Sequence, residues 1–180
     1  AARVSFWIYS ARETASKSPK HQLTLIDSFD RECNQHTSNQ TLNAADFAPY
    51  FETLHSRSGL RVESANDLDL PTSCLAEADL IFHEPGALLE VPVRVQGEVA
   101  GVIWCERASA YRWSALENAM AVSVSFLAAT ALSTHQQKNI STELQAHRQQ
   151  LKSETIEREQ AEQAWQESQR FIQGIIDAST

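Results

Sequence analysis

Between Val102 and Gln173 the chain has neither glycine nor proline. A 72-residue stretch without breakers excludes the closely spaced turns of a β-rich region and leaves room for a very long helix. All five prolines and Gly59, Gly86, Gly97 and Gly101 lie at or before position 101. Residues 1–110 therefore read as strands and short helices separated by turns. Cysteine is sparse: Cys33, Cys74 and Cys105 form no Cys-x-x-Cys, which removes support for a zinc ribbon or a thioredoxin-type site. The three read as free buried thiols in a reducing compartment. A basic excess is also missing. Lys plus Arg is 15 against 23 Asp plus Glu, a net charge of −8, which argues against a nucleic-acid backbone or an anionic membrane as main partner. No apolar run reaches the ~18 residues of a membrane span, and the N-terminus has no signal-peptide stretch. The chain does not begin with Met and opens inside a strand-like pattern, so the expectation is a piece of a longer cytoplasmic protein. Gly-x-Gly-x-x-Gly, phosphate-loop, Gly-x-Ser-x-Gly and His-Glu-x-x-His motifs are all absent, which leaves catalysis by those routes unsupported.

What is present is a core-forming composition, 42% apolar, with alternating and helical periods. Val4, Phe6 and Ile8 alternate with Ser5, Trp7 and Tyr9, the period of a strand. Residues 10–21 read as a loop, and Leu23–Phe29 as a second, antiparallel strand. Residues 30–41 read as polar turns. Asp46 is the expected cap of a helix ending near Ser56, with Pro49 in its first turn. A third strand is expected over Leu60–Glu63, and a short helix around Cys74–Ala78 inside a long excursion over 64–87. Leu88–Val95 and Glu98–Glu106 are two β-rich runs joined by Gln96-Gly97, where glycine supplies the positive φ of a tight hairpin. Pro92 inside the first run belongs at an edge or bulge, where its missing N–H leaves no gap.

Ser114-x-x-Glu117 is a capping box that opens the long helix. Leu116, Ala119, Met120, Val124, Leu127, Ala128 and Ala131 share one face, suited to packing on a sheet or on a second copy. From Ile140 the chain turns polar. Leu144, Leu151, Trp165 and Ile172 share one heptad position, interrupted by Arg158, and Ile140, Ala161 and Ile175 share another. This narrow seam predicts a two-stranded parallel coil, with a single solvated helix as the alternative. The expected dimer interface is Leu127, Ile140, Leu144, Leu151, Trp165 and Ile172.

Several segments together resemble a GAF domain, a small-molecule sensing module of bacterial signalling proteins. They are ARVSFWIY, LTLIDSFDR, AADFAPYFETL, GALLEVPVRVQGEVAGVIWCER and YRWSALENAMAVSVSFLAATAL, in family order and spacing. The resemblance implies an α+β fold: a five- or six-stranded antiparallel sheet flanked by helices, with a ligand pocket on one face and a long C-terminal helix. It also implies that the helix usually preceding the first strand is missing. The final QRFIQGIIDAST resembles the start of a PAS domain, another sensor module. The expected division is a sensor domain over 1–135, a coiled-coil signalling helix over 136–168 and a possible PAS start over 169–180. By family habit the parent would be a histidine kinase or a cyclic-di-nucleotide enzyme, the fragment itself being non-catalytic.

The resemblance puts the pocket under the short helix and the long excursion. Expected ligand-binding residues are Phe47, Tyr50 and Phe51 from the helix and Glu90, Arg94, Trp104 and Glu106 from the hairpin. Arg94 is the nearest partner in sequence for Glu90. No cofactor and no metal are expected. None of the cysteines adjoins a histidine, against an attached bilin, and the cyclic-nucleotide signature of the family is not found. His21, His36, His55 and His83 could in principle serve as haem ligands but read as surface or loop residues. Glu143 and His147, four apart, read as a solvated helix face rather than a metal pair. Neither His135 nor His147 has the flanking residues of a kinase phosphoacceptor. The expected function is a sensor that binds a small molecule and signals through a dimeric helix. Two alternatives stand beside it: a thiol-based redox sensor or methionine sulfoxide reductase-like enzyme, and a ligand-free dimerisation module.

Overall fold

The computed structural model describes residues 2–12, 20–64, 67, 70–78, 81 and 86–178. The side chains at 11, 12, 20, 70, 71, 76, 77, 167, 171, 172 and 174–178 lie outside that description. The chain divides into two compact units, 1–133 and 134–180.

The first unit is built on one antiparallel sheet of seven strands. These are β1 (Arg3–Arg12), β2 (Lys20–Asp30), β3 (Gln35–Thr37), β4 (Thr41–Asn43), β5 (Leu60–Val62), β6 (Ala87–Val95) and β7 (Glu98–Arg107). Their order is β3-β2-β1-β7-β6-β5, with β4 also paired to β2. The sheet thus has one or two strands more than the sequence suggests. The additions are β3 and β4, which fall in the supposed polar turns and pair with β2 through Phe29↔His36 and Leu23↔Leu42. Three-residue polar strands carry no period of their own, and the ladder of β2 is what extends them.

The β6–β7 hairpin turns where expected. Gln96 and Gly97 both have positive φ, 54° and 90°, the pattern of a type I′ turn. Pro92 pairs with Val102 on one side and lies beyond the Leu60↔Glu90 end of the β5 ladder on the other, beside the register irregularity at Val93/Arg94.

Alternation then assigns the faces. Trp7, Leu23, Leu25, Leu88, Val102 and Trp104 point to one side, where helix α1 (Ala48–Ser56) adds Tyr50, Phe51 and Leu54 and helix α2 (Leu70–Glu77) adds Leu75. Ala87, Leu89 and Val91 point to the other side, against Trp113 and Ala121. Asp46 does not cap α1. Phe47 occupies the N-cap without a side-chain bond, and the Asp46 carboxylate instead accepts from Asn43 Nδ2. Pro49 lies in the first turn, as expected.

Helix α3 (Ala115–Ala178) is continuous over 64 residues. Its start is the anticipated capping box: the Glu117 N–H donates to Ser114 Oγ, and the Ser114 N–H donates back to Glu117 Oε2 at 2.9 Å. The Ser114 N–H, followed by the Ser114 hydroxyl that donates to the same oxygen, holds the Glu117 carboxyl below its usual range. Ala121 packs with Ala87, Leu89 and Val91 of the sheet and Ser125 is buried, while Leu116, Met120, Val124 and Leu127 of the anticipated apolar face are all more than half exposed. An 18-residue window within Ala115–Arg170 reaches a mean hydropathy of 1.4, long and apolar enough by composition to cross a membrane. The absence of an uninterrupted apolar run conceals it, because Ser and Thr punctuate the segment.

Candidate functional site

The α1 side of the sheet carries a row of polar side chains among aromatics. Arg3 and Glu106 are direct partners across β1 and β7. The guanidinium grips the buried carboxylate with Nε at 3.1 Å and Nη2 at 2.6 Å. Ser5 and Ser28 share a hydrogen bond of 2.8 Å. Trp7 follows, with its ring centroid 4.9 Å from that of Trp104. Glu106 is therefore held in a bidentate ion pair across the sheet.

Tyr50, Glu90 and Trp104 meet beneath α1. Glu90 and Trp104 face each other across the β6–β7 ladder, and Tyr50 descends from the helix. The Tyr50 hydroxyl donates to Glu90 Oε2 at 2.7 Å. Trp104 Nε1 donates at 3.2 Å to that same oxygen and to the Tyr50 hydroxyl oxygen. All three are fully buried. A carboxylate withdrawn from water needs such donors, since desolvation otherwise penalises its charge by several kcal/mol. Burial, reinforced by the charge of Glu90, raises the Tyr50 hydroxyl well above its usual pKa and keeps it a donor.

Arg94 shares this face but does not serve Glu90. Its Nη2 donates to the carbonyls of His55 at 2.9 Å, Arg57 at 2.8 Å and Leu54 at 3.4 Å, and Nη1 donates to Gly97 O. The Leu54, His55 and Arg57 carbonyls lie at the C-terminal end of α1, which attracts a cation. Nearness in sequence pointed to Glu90, whereas the helix end lies closer in space. Phe47 is half-buried at the start of α1, and Phe51 is buried beside Tyr50. Of the expected ligand-binding residues, the fold gathers Tyr50, Glu90 and Trp104, keeps Phe47 and Phe51 at their border, and engages Arg94 and Glu106 elsewhere.

Sequence reasoning missed a second cluster. Tyr9 and His21 lie on one sheet face, two positions apart across the β1–β2 ladder, and His55 reaches them from the last turn of α1. The Tyr9 hydroxyl lies 2.7 Å from His21 Nδ1 and 3.1 Å from His55 Nε2. The His21 ring stacks on Tyr9, and the His55 ring meets it edge-on. The three border a cleft of about 400 Å³ with Ala44, Ala48, Phe51 and Glu52. Burial, followed by the charge of Glu98, raises the Tyr9 hydroxyl pKa. A usable signal was Glu52-x-x-His55, which places a carboxylate and an imidazole on one helix face.

The other histidines and the thiols stand apart. His36 pairs with Asp27 at 2.9 Å, and His83 lies outside the described residues. Cys33, Cys74 and Cys105 form no disulfide. Cys105 packs near Trp113 on the opposite face of the sheet, and burial pushes its thiol up to about 11. It stays protonated at neutral pH and is a poor nucleophile. On α3, Leu127, Ile140, Leu144, Leu151 and Trp165 are all exposed, as are Phe126 and Ile156, which the heptad reading did not include. The Ile172 side chain lies outside the described residues.

A family model described as "GAF domain" matches residues 1–132. Among solved structures, the blue-light-absorbing form of the PixJ GAF domain from Thermosynechococcus elongatus superposes with a TM-score of 0.55 at 15% identity. That match covers 78% of this chain and 81% of that one. A GAF domain/HD domain protein from Geobacter sulfurreducens gives 0.53 at 18% identity, covering 75% and 82%. No curated protein matches this sequence.

Proposed function

The chain belongs to the GAF domain family, whose members are generally regulatory rather than catalytic, and from that premise we propose that it is a sensor module taking a small molecule beneath α1. The observation that carries this reading is the buried Tyr50–Glu90–Trp104 cluster. A carboxylate, a phenol and an indole N–H converge among aromatic rings, the mixture of apolar walls and few aimed polar groups that recognises a small molecule. The signal would leave through α3, which begins on this domain and runs on without a break to Ala178. Pairing of two copies along Leu127, Ile140, Leu144, Leu151, Trp165 and Ile172 would let ligand binding shift the population between two registers of the helix pair. The parent would be a cytoplasmic histidine kinase or cyclic-di-nucleotide enzyme, a compartment in keeping with three cysteines outside any disulfide.

Native mass spectrometry of freshly purified protein tests the pocket. A bound small molecule is expected, and Glu90→Gln and Tyr50→Phe should each lower its occupancy. A bare chain whose melting temperature no metabolite library shifts would overturn the reading. That result would favour a ligand-free dimerisation module, to which the complete burial of Tyr50 and Trp104 also lends itself.

A further inference from the structure

We propose that Tyr9, His21 and His55 form a binding site for one divalent first-row transition-metal ion, separate from the Tyr50–Glu90–Trp104 cluster. Three donors from three elements already converge: His21 Nδ1 and His55 Nε2 lie 2.7 and 3.1 Å from the Tyr9 hydroxyl oxygen. Two ligands bound at about 2.0–2.1 Å, with tetrahedral or octahedral angles between them, stand about 2.9–3.4 Å apart. The observed spacings differ from that range by at most a few tenths of an ångström. Imidazole nitrogen suits zinc, copper and nickel.

The rest of the cleft fits such an ion. Glu52 borders it one helical turn before His55, so a carboxylate stands at the rim to offset the added positive charge. The volume of about 400 Å³ leaves room for water to complete the coordination. Among the described residues no three His, Cys, Asp or Glu side chains converge on a metal-sized space. The third donor here is a phenol. The imidazoles are the principal ligands and Tyr9 holds the third corner. Metal binding would cross-brace β1, β2 and the C-terminal turn of α1, the same turn whose carbonyls Arg94 clasps.

Titration of the full chain with Zn²⁺ by calorimetry, in competition with a chelator of known affinity, tests the site. One ion per chain is expected, with a dissociation constant of 10 µM or tighter. His55→Ala, at an exposed position, should weaken binding at least tenfold, and so should His21→Gln. His36→Ala and His147→Ala should leave it unchanged. With Cu²⁺, electron paramagnetic resonance should show coupling to two nitrogens, and to one in His55→Ala. Binding weaker than 100 µM, or binding unaffected by both His21→Gln and His55→Ala, overturns the assignment. So does binding lost in His36→Ala or His147→Ala.

Discussion

At the residue scale, the decisive group is the carboxylate of Glu90, which sits where solvent cannot help it. Its hydrogen bond from Tyr50, at 2.7 Å, is shorter than that from Trp104, at 3.2 Å, and the hydroxyl is itself kept protonated by burial and by the charge it serves. Tyr50→Phe removes the donor and preserves the ring. The expected loss is about 1–3 kcal/mol of unfolding free energy, the cost of under-satisfying a buried acceptor. The same residue sets an alkaline dependence. Its folded pKa is raised above the unfolded value of 10.0, so its stabilising share is complete below pH 10.0 and fades as pH rises through the folded value. Urea titrations across the alkaline range should therefore fall more steeply with pH for the wild type than for Tyr50→Phe. Equal slopes would mean that Tyr50 does not titrate in a buried site. This trio was partly legible, because strand parity and resemblance both put Glu90, Trp104 and Tyr50 toward one side. Arg94 was misread because its partners are backbone carbonyls at a helix end, which no side-chain pattern encodes. Of the Tyr9–His21–His55 cluster only the Glu52-x-x-His55 pair on one helix face was legible, because positions 9, 21 and 55 meet only once α1 lies on the β1–β2 pair.

At the scale of elements, the hairpin and the capping box were readable because each rests on residues a few positions apart: Gln96-Gly97 for the turn and Ser114-x-x-Glu117 for the helix start. β3 and β4 were not, since a three-residue strand exists only through its neighbour's ladder. The pairing of β1 with β7 is equally non-local, and one glycine decides it. Gly101 lies opposite Ile8 at the centre of the sheet, and a Cβ there would run into the carbonyl oxygen of Trp7. That obstacle is backbone, bound into two ladders, and cannot turn aside as a side chain could. Gly101→Ala should therefore cost about 1–3 kcal/mol, the usual penalty of overpacking. Gly97→Ala meets no neighbouring atom and is strained only by its φ of +90°. Chemical denaturation of both variants separates the effects. An unchanged midpoint for Gly101→Ala would show that the two strands can part without cost. Gln96→Asn, by contrast, should raise stability by a few tenths of a kcal/mol, since asparagine tolerates positive φ better than glutamine.

At the scale of the whole molecule, two units meet different physical demands. The first has buried apolar clusters on both faces of its sheet. The second is helical from Thr134 to Ala178, and the large apolar side chains described along it are exposed. Ile140, Leu144, Leu151 and Trp165 are each about half exposed or more. A polar helix with an uncovered seam is marginal in water, because nucleation is costly and tertiary burial normally supplies the balance. Pairing two copies in parallel would cover that seam, and Arg158 within it would keep the association weak. Sedimentation equilibrium should therefore find residues 1–180 dimeric at micromolar concentration and residues 1–135 monomeric. Leu144→Asp with Leu151→Asp should return the full chain to monomer. The same double variant should lower the helical signal at 222 nm, because the unpaired segment then loses the contacts that hold it helical. A full chain that stays monomeric with undiminished helicity would sink the paired-helix reading. It would also remove the route by which an event under α1 could reach a downstream domain.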